Sequence, residues 1–396
     1  MTKFFKNPCN VYIALLTFYS MQGTIIPTGG SLLSQIIMLT TICMSMYYTI
    51  KVFLMPGKPI YFSGLNLFFL LLVIYGSLLL VSDHQYVIAA KAFNNEVSNH
   101  SYLKNLLLSL PNIYTLYYFS RKNYLTEDLL KKWVLVFIVV AIFRFIDFQI
   151  TALQAVSIAG TDDEEITNNM GYLFLALLPA VVVFKNKIRV QFFFLIICML
   201  FILIGMKRGA IIIGCLSLIY YLYFTFRFNR NISKTKAFLF SICIIFASFL
   251  IVKYMLASSD YFNYRLESTR EGNTGGRNEL FALFWNHFRN EPNFFKFLFG
   301  NGANATLGIG DNYAHNDWLE IAINQGLLGL IIYGFYWVCF IKTIASIKYN
   351  KTAKLVLTLS FMAFFLKTMF SMSYTTYSII PCTLLGYYLA HSKDRD

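Results

Sequence analysis

The sequence predicts an all-α polytopic membrane protein with about 12 transmembrane helices and one long exocytoplasmic loop between spans 9 and 10. Three observations predict it. Hydrophobic residues make up 57% of the 396-residue chain and charged residues only 13%, where globular chains carry about 25%. The apolar residues come in runs of about 17 to 25, long enough to cross a bilayer at about 1.5 Å per helical residue. Lysine and arginine gather in short clusters between those runs, the pattern that orients membrane proteins.

The runs fall at residues 11–27, 31–50, 60–82, 102–120, 133–150, 170–184, 190–206, 209–226, 237–257, 316–341, 355–372 and 375–390. Residues 1–257 then hold spans 1–9, residues 258–315 form the loop, with short amphipathic helices, and residues 316–396 hold spans 10–12. With the N-terminus in the cytoplasm, 21 basic residues lie inside and 8 outside, and the alternation is coherent along the whole chain. Both termini are then cytoplasmic. The outside set holds Lys91, Lys207, Arg208 and the basic residues of the loop, and one outside segment is the acidic run Asp162 to Glu165. The first run lacks a small-residue cleavage site, so it is expected to stay as an anchor. Pro111 and Pro179 fall inside spans and are expected to kink them.

The net charge of +14 raises nucleic acid as a partner, and its dispersal between apolar runs excludes it. The seven cysteines lie in or beside apolar runs without the paired polar spacing of a disulfide framework or zinc site, and read as small packing residues.

The polar stretch from Ser258 to His315 is the one long irregular segment, and such loops tend to carry function. Its glycine-rich turns, as at Gly300-Asn-Gly302, read as anion cradles ahead of a helix start. Leu280, Phe281, Phe284 and Phe288 line one face of a short helix over Asn278 to Phe288, which is expected to lie along the outer leaflet.

Arg208, beside Lys207, sits at the outer end of a span where basic residues are disfavoured. It reads either as a snorkelling anchor or as a guanidinium fork for phosphate oxygens. Arg277 follows glycines and precedes the amphipathic segment; it reads as a solvated partner of Glu279 or as a second phosphate grip. Arg265 and Arg270 have Glu267 and Glu271 close by. His315 has Asn316 and Asp317 adjacent, with Glu320 in the first turns of the helix that follows, and an imidazole near pH 6.5 suits general-base work. Within the membrane, Arg144 and Asp147 at i, i+3 read as a structural pair, while Lys367 has no evident partner and reads as a cavity residue. No nucleotide loop, dinucleotide fingerprint or metal-ligand spacing occurs, so neither metal nor cofactor is expected. A reaction outside the cytoplasm then needs a substrate that carries its own energy, such as a lipid-linked diphosphate sugar.

The pattern His315-Asn316-x-x-Leu319-Glu320 followed by Gly326-x-x-Gly329 resembles the signature of the O-antigen ligase and polymerase superfamily. Lys207-Arg208-Gly209-Ala210 is similar to that family's Ser-Arg-Gly-Ala element, with lysine in place of the serine. Gly276-Arg277 with the later Gly300-Asn-Gly302 is similar to its Gly-Arg and Gly-x-Gly elements, and Asn168-Asn169 to a family asparagine. The resemblance implies a bacterial inner-membrane glycosyltransferase that moves a glycan from undecaprenyl diphosphate to an acceptor hydroxyl, at a site facing the periplasm. It implies Arg208 and Arg277 on the diphosphate and His315 as the base; Lys207, Asn316, Glu320, Arg265 and Asn169 are the residues expected to bind substrate. The partners are then an undecaprenyl-diphosphate-linked oligosaccharide, a glycan or lipid acceptor and membrane lipids, with room for a chain-length regulator. Within the family the leading expectation is a Wzy-type surface-polysaccharide polymerase, with the ligase to lipid A core as its alternative. A flippase for the same lipid, using Arg144, Asp147 and Lys367, is the alternative of another class.

Overall fold

The computed structural model describes residues 5–21, 31–90, 93–159, 168–185, 187–228, 234–258, 263, 267, 270, 277–310, 312–375 and 378–394. Lys91, the acidic run at Asp162 to Glu165, Arg265 and the glycines before Arg277 lie outside the described residues. The structure is 78% helical, with one two-stranded antiparallel sheet among the described residues. The helices are α1 (Pro8–Ser20), α2 (Leu32–Phe53), α3 (Tyr61–Leu80), α4 (Asn99–Leu107), α5 (Pro111–Arg121), α6 (Glu127–Ala159), α7 (Gly171–Leu177), α8 (Ile188–Ile204), α9 (Arg208–Phe228) and α10 (Lys234–Ser258). After the loop's start come α11 (Arg277–Arg289), α12 (Phe294–Phe299), α13 (Leu307–Gly310), α14 (Asp317–Ser346), α15 (Lys351–Lys367) and α16 (Ile379–Ala390). Strands β1 (Tyr86–Ala90) and β2 (Phe93–Val97) pair with Tyr86 opposite Val97.

Five of these helices are long and apolar enough to cross a membrane, over Leu32–Phe53, Tyr61–Leu80, Glu127–Thr151, Arg208–Arg227 and Asp317–Ser346. Shorter apolar helices stand beside them at Gly171–Phe184, Ile188–Ile204, Ile242–Tyr254 and Ile379–Ala390. The architecture is therefore the all-α polytopic membrane fold that the composition demands. Pro111 does more than kink its expected span. Having no N–H to donate, it opens α5 as that helix's first residue, so residues 102–120 divide between α4 and α5. Pro179 instead stands where α7 tightens into a 3-10 stretch over Leu178–Phe184.

Bilayer packing inverts the usual pattern of a surface helix. On α2, Ser34, Thr41, Ser45 and Thr49 are buried, while Leu32, Leu33, Ile36 and Leu39 are exposed. Small polar residues face the protein and apolar ones face outward, as lipid requires. Thr41 and Thr49 return their hydroxyls to carbonyls four residues back, at 2.7 Å each. Thr115 of α5 bonds the carbonyls of Pro111 and Ser45, tying α5 to α2.

Close helix contacts rest on glycines. A Cβ on Gly386 of α16 would lie 2.7 Å from the Tyr117 nitrogen, so α16 meets α5 nearly backbone to backbone. Gly386→Leu is expected to cost at least about 1–3 kcal/mol by overpacking, seen as a lower melting temperature of the detergent-solubilised protein; an unchanged melting temperature would refute this contact. Gly64 of α3 makes a similar approach to Tyr336 of α14. Around it the hydroxyls of Tyr61 and Tyr336 bond at 3.0 Å, and Phe68 stacks on Tyr336, fixing α14 in the bundle.

Candidate active site

The site is built from three helix starts. Helix α8 ends at Ile204, and the chain turns through Gly205, Met206 and Lys207, with Met206 in the left-handed region at φ 51°. The Lys207 carbonyl accepts from Ile211 N at 3.0 Å, so Lys207 occupies the cap position and Arg208 opens α9. Arg277 is the first residue of α11. Asn316 caps α14, its Oδ1 accepting from Trp318 N and Leu319 N at 2.9 and 3.2 Å. His315 stands just before that cap with φ 53°, a conformation that costs energy in a residue with a Cβ.

These starts converge on the turn that follows α15. Asp317 N donates to the Thr368 carbonyl at 2.9 Å, and Asn316 Nδ2 donates to that of Met369 at 3.5 Å. Arg277 Nη1 donates to the Phe370 carbonyl at 3.3 Å. A Cβ on Gly209, next to Arg208, would lie 2.7 Å from Phe370 Cβ and 2.5 Å from Tyr172 Oη. Three consecutive residues, Thr368, Met369 and Phe370, thus hold all three segments. Burial pushes the His315 imidazole below its ordinary pKa of 6.5, and the nearby charges of Arg277 and then Lys207 add to that effect. Arg277 also interacts electrostatically with Tyr172. The structure therefore brings Lys207, Arg277 and His315 within electrostatic reach of one another, with Arg208 at the helix start that Gly209 packs against the same turn. Arg265 lies outside the described residues, and Asn169 lines a neighbouring cavity.

Glu320 is fully buried and turned away from solvent. Its Oε1 accepts from Ala314 N at 2.5 Å, and its Oε2 from Thr306 Oγ1 at 2.9 Å and Asn324 Nδ2 at 3.2 Å. It positions the residue before His315 by its backbone. Asp317, also fully buried, accepts from Ser373 N at 2.6 Å and from the Tyr333 hydroxyl at 3.0 Å, which locks the start of α14 onto the segment after α15.

The glycine-rich turn at Gly300 is not the anion cradle that its composition suggests. Its N–H groups are taken: Gly300 donates to Lys296, Asn301 to Ile323 and Gly302 to Asn324, at 2.7, 2.9 and 3.0 Å. Gly300 (φ 79°) and Gly326 (φ 68°) interlock instead, since a Cβ on Gly326 would lie 2.5 Å from Gly300 N. Gly326 breaks the helical geometry of α14, and its first turns there receive the loop. Gly326→Ala is expected to release the loop, and limited proteolysis between residues 290 and 315 would detect the release as faster cleavage. Wild-type protection in this variant would contradict the interlock. Helix α11 likewise departs from expectation. Phe284 and Phe288 bury against Ala305, Ala314, Ala322 and Ile323, so this face covers the loop and α14 and does not lie on a leaflet.

Two contributors carried no sequence signal. The 368–370 turn acts largely through backbone carbonyls, and Tyr172 acts through its position beside Gly209. Arg144 and Asp147 form no ion pair within 4.0 Å among the described residues; Arg144 Nη1 donates to the Ser20 carbonyl at 2.6 Å.

Chemically, the cluster offers the Arg277 guanidinium and the Lys207 ammonium for an oxyanion, with Arg208 at the adjoining helix start, beside an imidazole whose charged form is disfavoured by burial and by its cationic neighbours. No curated protein matches the chain. A family model described as O-antigen ligase does match, over a stretch that includes Lys207, Arg208, Arg277, His315, Asn316 and Glu320. Residues 192–334 match this O-antigen ligase model, in agreement with the resemblance of the motifs to the O-antigen ligase and polymerase superfamily.

Proposed function

We propose that the protein transfers an oligosaccharide from undecaprenyl diphosphate to an acceptor hydroxyl, as a surface-polysaccharide polymerase of the Wzy type in the bacterial inner membrane. The observation that carries this reading is the convergence of Arg208, Arg277 and His315 on one turn. His315 takes the proton of the acceptor hydroxyl as its oxygen attacks the anomeric carbon. The bond from that carbon to the diphosphate oxygen breaks, and undecaprenyl diphosphate leaves with the electron pair. Arg208 and Arg277 stabilise the charge that grows on it, with Lys207 adding to the field. Charge-assisted hydrogen bonds contribute about 1.5–3 kcal/mol each, and more where donors are fixed before the charge develops.

In this reading both termini are cytoplasmic and the site faces the periplasm, where no nucleotide donor is needed. Lys207, Asn169 and Arg265 contact the substrate, while Asn316 and Glu320 position the segment that carries His315. The ligase reading, with lipid A core as acceptor, is favoured by one observation: the matched family model is described as O-antigen ligase. Purified protein in vesicles with undecaprenyl-diphosphate-linked repeat units separates the readings. A ladder of longer lipid-linked glycans is expected. Transfer only when lipid A core is added identifies the ligase. Lipid movement across the bilayer without glycan transfer would overturn both in favour of a flippase.

A further inference from the structure

Beside the arginine–histidine cluster lies a cavity of about 640 Å³ whose lining includes Arg144, Lys367, Asn169 and Tyr172 among apolar side chains such as Phe137 and Ile380. It sits at the same end of the bundle as the loop. The last residues of α1 and α15 line it, and α15 runs directly into the turn that holds the three helix starts. Tyr172 joins the two spaces: its hydroxyl abuts Gly209, beside Arg208, and its ring lies 5.0 Å from Lys367 Nζ.

The charge balance of this cavity is one-sided. Among the described residues its lining holds two cations and no acidic residue. Arg144 is anchored through one nitrogen to the Ser20 carbonyl, and Asp147, which is not in the lining, acts on it electrostatically without an ion pair within 4.0 Å among the described residues. Lys367 interacts electrostatically with Asp317, whose carboxylate already accepts hydrogen bonds from Ser373 and Tyr333. Cations at membrane depth are costly unless an anion or water meets them, and their presence there marks a ligand path or site. Apolar walls around two cations suit an amphiphile with a phosphate head and a hydrocarbon body.

We propose that this cavity is a second anionic-lipid subsite, in which Arg144 and Lys367 hold the phosphate or diphosphate of the acceptor's own lipid while the donor occupies the arginine–histidine cluster. The inference rests on the transfer reaction proposed above. A transferase joining two lipid-linked molecules must hold two anionic heads within reach of one base, and the two clusters meet at Tyr172. The donor's leaving group and the acceptor's lipid phosphate then do not compete for the same guanidinium groups.

The test is native mass spectrometry of the full-length protein in detergent, titrated with farnesyl diphosphate and, separately, with inorganic diphosphate. Wild type is expected to retain two farnesyl diphosphates. The Arg144→Gln/Lys367→Met variant should retain one, with affinity for the second weakened about tenfold or more. The conservative Arg144→Lys/Lys367→Arg variant should keep both, which separates charge loss from misfolding. The Arg208→Gln/Arg277→Gln variant should keep only the cavity ligand and should not retain inorganic diphosphate. Two farnesyl diphosphates on Arg144→Gln/Lys367→Met, or only one on wild type, would overturn the second subsite. Inorganic diphosphate held by Arg208→Gln/Arg277→Gln as tightly as the farnesyl compound would overturn its lipid character. If Arg208→Gln/Arg277→Gln keeps both ligands while Arg144→Gln/Lys367→Met loses one, the donor assignment fails and the cavity assignment stands.

Discussion

His315→Ala is expected to abolish glycan transfer, lowering the rate by about 10²–10⁴-fold, the usual contribution of a positioned general base. Folding should survive the change. His315 is half-buried in a left-handed conformation before the α14 cap, and Asn316, Asp317 and Glu320 hold that cap without it. The melting temperature therefore tests structure, and turnover of lipid-linked repeat units tests chemistry. The pH dependence follows from the same geometry. A base must be neutral to accept a proton, and burial together with Arg277 and Lys207 holds His315 below 6.5. The rate should fall as the pH drops through that lowered value, so the acidic limb of the profile lies below 6.5. Arg277→Gln removes one of the depressing charges and should move that limb upward. An acidic limb that stays fixed in this variant would separate Arg277 from His315.

The second large effect is expected at the arginines. Arg208→Gln and Arg277→Gln should each lower kcat/KM by about 10- to 150-fold, the loss of one charge-assisted interaction of about 1.5–3 kcal/mol. Lysine should restore only part of this, because an ammonium does not reproduce the two-pronged fit of a guanidinium to phosphate oxygens. Rates measured with saturating donor divide the loss between binding and the chemical step. Full activity in either glutamine variant would remove that arginine from the site.

The bundle was legible because each span leaves a long apolar run, and α2, α3, α8, α9 and α16 lie close to where those runs place them. What the runs conceal is how they are interrupted. Pro111 reads equally well as a kink or as a first helical residue, and only packing on α2 and α16 selects the second. The β1–β2 pair leaves no such signal, since each strand gains its extended form from pairing with the other. Gly300 and Gly326 stood out as glycines, yet their role is mutual contact across the loop, which no local pattern encodes.

Much of the candidate site was legible too, for a chemical reason. Arg208, Arg277 and His315 are polar residues at helix starts in a chain that is otherwise apolar. Their shared support was hidden. Thr368, Met369 and Phe370 receive those segments largely through carbonyl groups, which every residue possesses, so side-chain identity gives no signal. Glu320 was visible as a helix-start carboxylate, but its buried partners Ala314, Thr306 and Asn324 become apparent only when the loop is folded back.

The most direct test measures undecaprenyl diphosphate released by the purified protein in vesicles that contain lipid-linked repeat units. Wild type should release one lipid diphosphate for each glycan bond formed, and His315→Ala should release none above background. Release at the wild-type rate from His315→Ala, or glycan-bearing lipid that wild type leaves unchanged, would contradict the assignment.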